Sequence, residues 1–266
     1  MQSVRPAAVA GAFYPADPRE LKATVERLLA EARAARQPAG KPKALIAPHA
    51  GYVYSGAIAA SAFCTLDWRA GEVRRVVLLG PAHFTPLRGL ALPVWRALAT
   101  PLGEVAVDED ARARLPALPQ VSFSDAAHAR EHSLEVELPF LLAALGRFQV
   151  VPLAVGRASP EEVAGVLEQL WGGPETLIVV SSDLSHYLPY AVAKRRDEAT
   201  AEAIANLQIV EADDACGAAP VNGLLLAARR KGLQCARLDL RNSGDMAGDR
   251  SSVVGYGAFA FTEAAA

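Results

Sequence analysis

The sequence predicts a single α/β domain built on a mainly parallel sheet flanked by helices. Three observations predict it. Short apolar, partly β-branched runs recur at 44–46, 75–79, 150–155, 177–180 and 237–240; helical patterns stand between most of them; and no linker-like or low-complexity stretch divides the 266 residues. Alternation of this kind is the mark of strands joined by crossover helices, and α/β sheets of this length are often undivided. Residues 1–266 therefore read as one domain.

The first helix is predicted over 17–35, with Asp17 as N-cap, Pro18 in the first turn, and Leu21, Val25, Leu28, Leu29 and Ala32 at helical spacing. A small-residue helix over 55–66 follows the 44–46 strand and contains Cys64. After the 75–79 strand the next helical pattern is 133–145, in which Pro139 predicts a kink. The 150–155 strand leads to the best-marked helix, 159–171: Ser159-Pro160-Glu161-Glu162 combines an N-cap, a proline at the first helical position and a capping-box glutamate. Helices over 190–207 and 222–231 come next, then a strand over 234–240. The alternation in size over 253–261 closes the chain as a last strand.

Hydrophobic residues make up 52% of the chain and charged residues 21%, enough apolar material for a large core. A net charge of −2 gives no field to draw nucleic acid or an anionic membrane, so a small-molecule substrate or a peptide is the expected partner. No apolar run reaches the ~18 residues that span a bilayer and the N-terminus has no signal-like core, so a cytoplasmic location is expected. The three cysteines lack C-x-x-C spacing and suggest no disulfide framework; Cys64 and Cys235 read as buried packing residues.

The histidines carry the functional signal. His49, His83 and His186 each follow an apolar run, which puts them at the carboxyl edge of a parallel sheet, where such folds bind ligands. For any one of them a loop-capping hydrogen bond is the simpler reading. Three at equivalent positions, with His128 and His132 flanking Glu131, point instead to a metal centre. Neutral imidazoles leave a divalent ion's charge uncompensated, so an anionic donor is expected from among Asp183, Cys216, Glu131 and Asp245. Cys216 lies where Gly217 and Pro220 interrupt the helical pattern, which suits a thiol open to the crevice as well as it suits a packing residue. His186, with Asp183 three residues before it to orient the ring, is the candidate for proton transfer; the simpler alternative has Asp183 capping the turn and His186 on a backbone carbonyl. Tyr52 and Tyr54 follow the His49 turn, where their phenols could hydrogen-bond a ligand.

The segments 48–56 (Pro-His-Ala-Gly-Tyr-Val-Tyr-Ser-Gly), 80–83 (Gly-Pro-Ala-His), 131–140 (Glu-His-Ser-Leu-Glu-Val-Glu-Leu-Pro-Phe), 181–187 (Ser-Ser-Asp-Leu-Ser-His-Tyr) and 214–217 (Asp-Ala-Cys-Gly) resemble, in order, the motifs of the Memo family, as does the opening 5–15. Prokaryotic members of this kind are labelled AmmeMemoRadiSam system protein B. The resemblance implies a LigB-like fold shared with class III extradiol dioxygenases, which are non-haem iron enzymes. It implies one metal ion, iron first with copper or zinc as alternatives, ligated by His49, His83 and Cys216, with His186, Asp183 and His132 as catalytic residues in the same pocket. The ring-opening enzymes use a carboxylate where this chain offers Cys216, a softer donor, which argues against catechol cleavage itself. A metal-dependent oxidoreductase acting on a small chelating or aromatic substrate is the leading expectation. A zinc-type metallohydrolase and a non-enzymatic metal- or peptide-binding protein are the alternatives.

Overall fold

A computed structural model describes residues 3–35, 40–246 and 248–263; the two first and three last residues of the single-domain reading lie outside them. At its centre run five parallel strands in the order Gly103–Val107, Gln149–Val155, Arg75–Pro81, Thr176–Ser181 and Pro42–Ala47. The closing strand Val253–Glu263 adds antiparallel to Pro42–Ala47, and Leu233–Asn242 adds antiparallel to it in turn. The interior strands are buried almost from end to end, because helices cover both faces, and that is why they read as continuous apolar runs rather than alternating ones.

Two apolar layers flank the sheet. On one face Leu21, Val25, Ile58, Phe63 and Phe140 pack against Leu45, Leu78 and Val179. On the other, Val163, Leu167, Leu224 and Leu225 meet Ile46, Val77, Val151 and Ile178. Residues adjacent along a strand point to opposite faces, so Leu45 and Ile46 serve different layers. The first helix, Pro18–Ala34, is capped by the Asp17 carboxylate, which accepts from the amides of Arg19 and Glu20 at 2.9 Å. Pro160–Leu170 starts with the full Ser159–Glu162 capping box.

Several predicted boundaries shift for local reasons. Pro139 makes no kink: the region opens with a 3₁₀ turn, Glu135–Glu137, and Pro139 falls in the first turn of Leu138–Leu145, where its missing N–H is no loss. The helix expected from Asn222 starts four residues earlier, as Ala218–Arg230, so Pro220 lies in its first turn rather than breaking it. Cys64 and Cys235 are half-buried rather than fully enclosed. The stretch 90–130 holds four short strands, among them Leu90–Leu92 and Val121–Phe123, too brief for any periodicity to announce them.

Candidate metal centre

The carboxyl ends of three neighbouring strands each deliver a polar residue at the same offset. His49 lies two residues beyond Pro42–Ala47, His83 two beyond Arg75–Pro81, and Asp183 two beyond Thr176–Ser181. His132 comes from the loop between Asp125–Ala129 and the Glu135–Glu137 turn. One ring nitrogen from each of His49, His83 and His132 lies within 4.8 Å of the others, and the three rings sit 4.8 to 5.4 Å apart by centroid. Two metal–nitrogen bonds of about 2.1 Å span at most ~4.2 Å, so this group could hold one metal ion after a contraction of a few tenths of an ångström.

How the rings are held decides which nitrogens face inward. His83 Nδ1 pairs with Glu131 Oε1 at 2.9 Å, and Glu131 also accepts the amides of His83, His132 and Ser133. Burial would raise this carboxyl, but the His83 hydrogen bond and charge, with those amides, outweigh it and hold Glu131 down at about 2. An ionised carboxylate only accepts, so His83 Nδ1 carries a proton and Nε2 is the nitrogen left to the cluster. His49 Nδ1 lies 2.7 Å from Ser181 Oγ, whose hydroxyl donates to Glu137 Oε1 at 2.8 Å, so Nδ1 is occupied and Nε2 is the nitrogen left to the cluster. Burial first, and then the charges of His132 and His83, push His49 far below the usual imidazole range. It is neutral at any physiological pH.

Cys216 lies beside His49 but outside that group of three. Its Sγ lies 3.4 Å from His49 Nε2 and accepts the Asp183 amide at 3.3 Å. The approach depends on Gly217, where an added Cβ would lie 2.7 Å from Ser182 Oγ and 2.8 Å from the Ser181 carbonyl oxygen. Burial, reinforced by Asp183, pushes the thiol up, so it is protonated unless a cation stands beside it. Asp183 itself is raised to about 7 by burial, against the amides of His49 and Ala50 that lower it; Oδ1 accepts from His49 N at 2.8 Å.

That contact corrects one expectation. The Asp183 carboxylate braces the His49 turn, and His186 is oriented by the Leu184 carbonyl, 2.8 Å from its Nδ1. His186 is half-buried, with its ionisation lowered by burial and by the charge of His83. His128 stands apart from the cluster: it is buried, with Nε2 on the Ala91 carbonyl. Asp245 bonds Tyr190 and the Asn242 amide. Tyr52 is buried, its hydroxyl donating to the Val136 carbonyl, whereas Tyr54 is exposed. Sequence reasoning missed the supports Ser181 and Glu137, although both lie in motifs it had singled out, and it missed Phe13 and Phe84, which pack on the His132 ring at 4.7 and 5.8 Å.

His83 and Cys216 line a cleft of about 1080 Å³ that opens to solvent. No helix among the described residues is long and apolar enough to cross a membrane. A family model described as Memo-like protein matches residues 5–260. Full-length similarity extends to a MEMO1 family protein of Aeropyrum pernix, 38% identical over 95% of this chain and 98% of that one. It extends also to one of Sulfolobus acidocaldarius, 34% identical over 95% and 97%. Among solved structures, an uncharacterized Escherichia coli K12 protein, JW3007, aligns with a TM-score of 0.51 at 15% identity, covering 80% of this chain and 98% of that one. That likeness concerns the fold.

Proposed function

This chain belongs to the Memo family, and from that premise we propose that it is a cytoplasmic metal-dependent oxidoreductase acting on a small chelating or aromatic molecule. Its single ion, iron before copper or zinc, is held by His49, His83 and Cys216. The observation that carries the reading is the way the imidazoles are tied back: Nδ1 of His83 on Glu131 and Nδ1 of His49 on Ser181 leave Nε2 as the donor atom of each ring, with His83 at a wide cleft and His49 beside the Cys216 sulfur.

Cys216 is preferred as third donor on grounds of charge. Glu131 and Asp183 are turned toward backbone amides, and three neutral imidazoles would leave a divalent ion uncompensated, whereas a coordinating thiol loses its proton. His132 completes the set or receives the substrate's chelating atoms. A bound ion of this kind supplies Lewis acidity and, as iron or copper, electron transfer. His186, its Nδ1 on the Leu184 carbonyl, has no hydrogen-bond partner at Nε2 among the described residues and is the proposed proton carrier. Phe13 and Phe84 pack against the His132 ring on that side of the cluster.

The test is elemental analysis of protein purified without added metal, followed by oxygen uptake over a panel of catechols. Iron or copper with substrate-dependent uptake supports the proposal. Zinc with no oxygen consumption would turn the reading to a metallohydrolase, and bound metal with no turnover to a carrier or peptide-binding role. Cys216→Ala is expected to lose the metal while His132→Ala retains most of it; the reverse order makes the ligand set the three histidines.

A further inference from the structure

The cleft that begins at His83 and Cys216 has a second feature that metal chemistry does not use. Arg88 and Arg157 both line it, both are exposed, and neither guanidinium has an ion pair or hydrogen-bond partner among the described residues. They are neighbours, because Arg88 and Arg157 form an isolated parallel bridge between the loops that follow His83 and the Gln149–Val155 strand.

The backbone that holds them together is tightly built. Gly89 N donates to the Arg157 carbonyl at 3.0 Å, Gly156 N to the Gly89 carbonyl at 3.0 Å, and Arg157 N to the Leu87 carbonyl at 2.8 Å. The loops approach so closely that a Cβ at Gly156 would fall 2.1 Å from the Leu87 carbonyl oxygen. Two arginines carried on paired backbone bring like charges into one region of the cleft, a repulsion that an anion between them would relieve. Glu162 is the acidic side chain in the lining; its carboxylate accepts the Ser159 amide in the capping box and, among the described residues, pairs with neither arginine.

We propose that the molecule bound in this cleft is an anion, a small chelating compound whose carboxylate is held by Arg88 and Arg157 while its chelating end faces the metal donors. The proposal rests on the metal-centre reading for the chelating end only. Arginine suits the other end, since its planar fork pairs with a carboxylate through two parallel hydrogen bonds.

Two titrations test it. On zinc-loaded protein, 3,4-dihydroxybenzoate is expected to bind ~10-fold or more tightly than catechol, and R88Q/R157Q to abolish that difference while leaving bound zinc and catechol affinity unchanged. On metal-free protein, benzoate is expected to shift the backbone amide resonances of 87–89 and 155–157 in the wild type but not in R88Q/R157Q. Failure to bind zinc, or silence toward catechol, would count against the metal reading and leave the benzoate titration to judge the arginines. If benzoate and 3,4-dihydroxybenzoate bind the wild type and R88Q/R157Q alike, the anion site is overturned.

Discussion

Glu131 and Glu135 stand four residues apart, both 2% exposed or less, and each gathers several hydrogen bonds, yet their positive partners differ. Glu135 has a permanent one: Arg5 Nη1 lies 2.6 Å from Oε2, with the Ala8 and Val9 amides and the Tyr14 hydroxyl completing its shell. Glu131 faces amides and the rings of His83 and His132, and no lysine or arginine side chain pairs with it among the described residues. A buried carboxylate is stable only where its charge is met. Arg5 meets that of Glu135 in the fold itself. Glu131 is matched when His83 carries positive charge, from a proton or a metal. One carboxylate therefore anchors the N-terminal segment, and the other orients the His83 ring.

The largest effect that would sharpen this contrast belongs to the anchor. Glu135→Gln leaves Arg5, 3% exposed, without its counter-charge, and is expected to lower stability by about 3–5 kcal/mol in chemical denaturation while the folded fraction keeps its metal. If stability is unchanged, Arg5 is satisfied by the His128 and Glu131 carbonyls alone and the contrast fails.

Next comes pH. His128 belongs to the anchored side and is held near 4 by burial, above all, against its bond to the Ala91 carbonyl. Its folded-state value lies below the unfolded one, so the unfolded chain takes up the proton first as pH falls. The stability tied to a neutral His128 is complete above pH 6.5 and is lost between 6.5 and 4, by roughly 3 kcal/mol. His128→Gln is expected to remove that part of the acid slope in unfolding free energy measured across the window. An unaltered slope would mean that His128 is not the group responsible.

The smallest effect is the one most specific to the centre. Glu131→Gln keeps the shape and most hydrogen bonds but removes the charge behind His83, and is expected to weaken metal binding ~10–100-fold, about 1.4–2.7 kcal/mol. Equal metal affinity in Glu131→Gln and wild type would make the carboxylate a structural group like Glu135.

How much of this was legible in the sequence follows from where the signal lay. The central strands are long and buried on both faces, so Val76 to Leu79 and Val150 to Val155 announced themselves, and with them the sheet edge that carries His49 and His83. Ser159 and Glu162 gave the helix start by their chemistry. Residues 90–130 did not, since strands of three residues such as Val121–Phe123 hold their place by neighbours rather than by pattern. At the site, His49 and His83 could be assigned from their position after strands. The partners that set their tautomers could not: Ser181 and Glu137 reach His49 across 132 and 88 positions of chain (181 − 49 and 137 − 49), a proximity that only the folded sheet creates. The same limit misassigned Asp183, which is near His186 in sequence but bonded to the His49 turn in space.

The central claim is that the tied-back imidazoles of His49 and His83 hold one metal ion in a fold that does not need it. Metal content per chain, measured by elemental analysis alongside circular dichroism for wild type and His83→Ala, tests this most directly. The account predicts close to one ion per wild-type chain, and none in His83→Ala with its spectrum unchanged, because two large apolar layers rather than the ion sustain the fold. Full metal occupancy in His83→Ala, or its unfolding when the ion is lost, would contradict it.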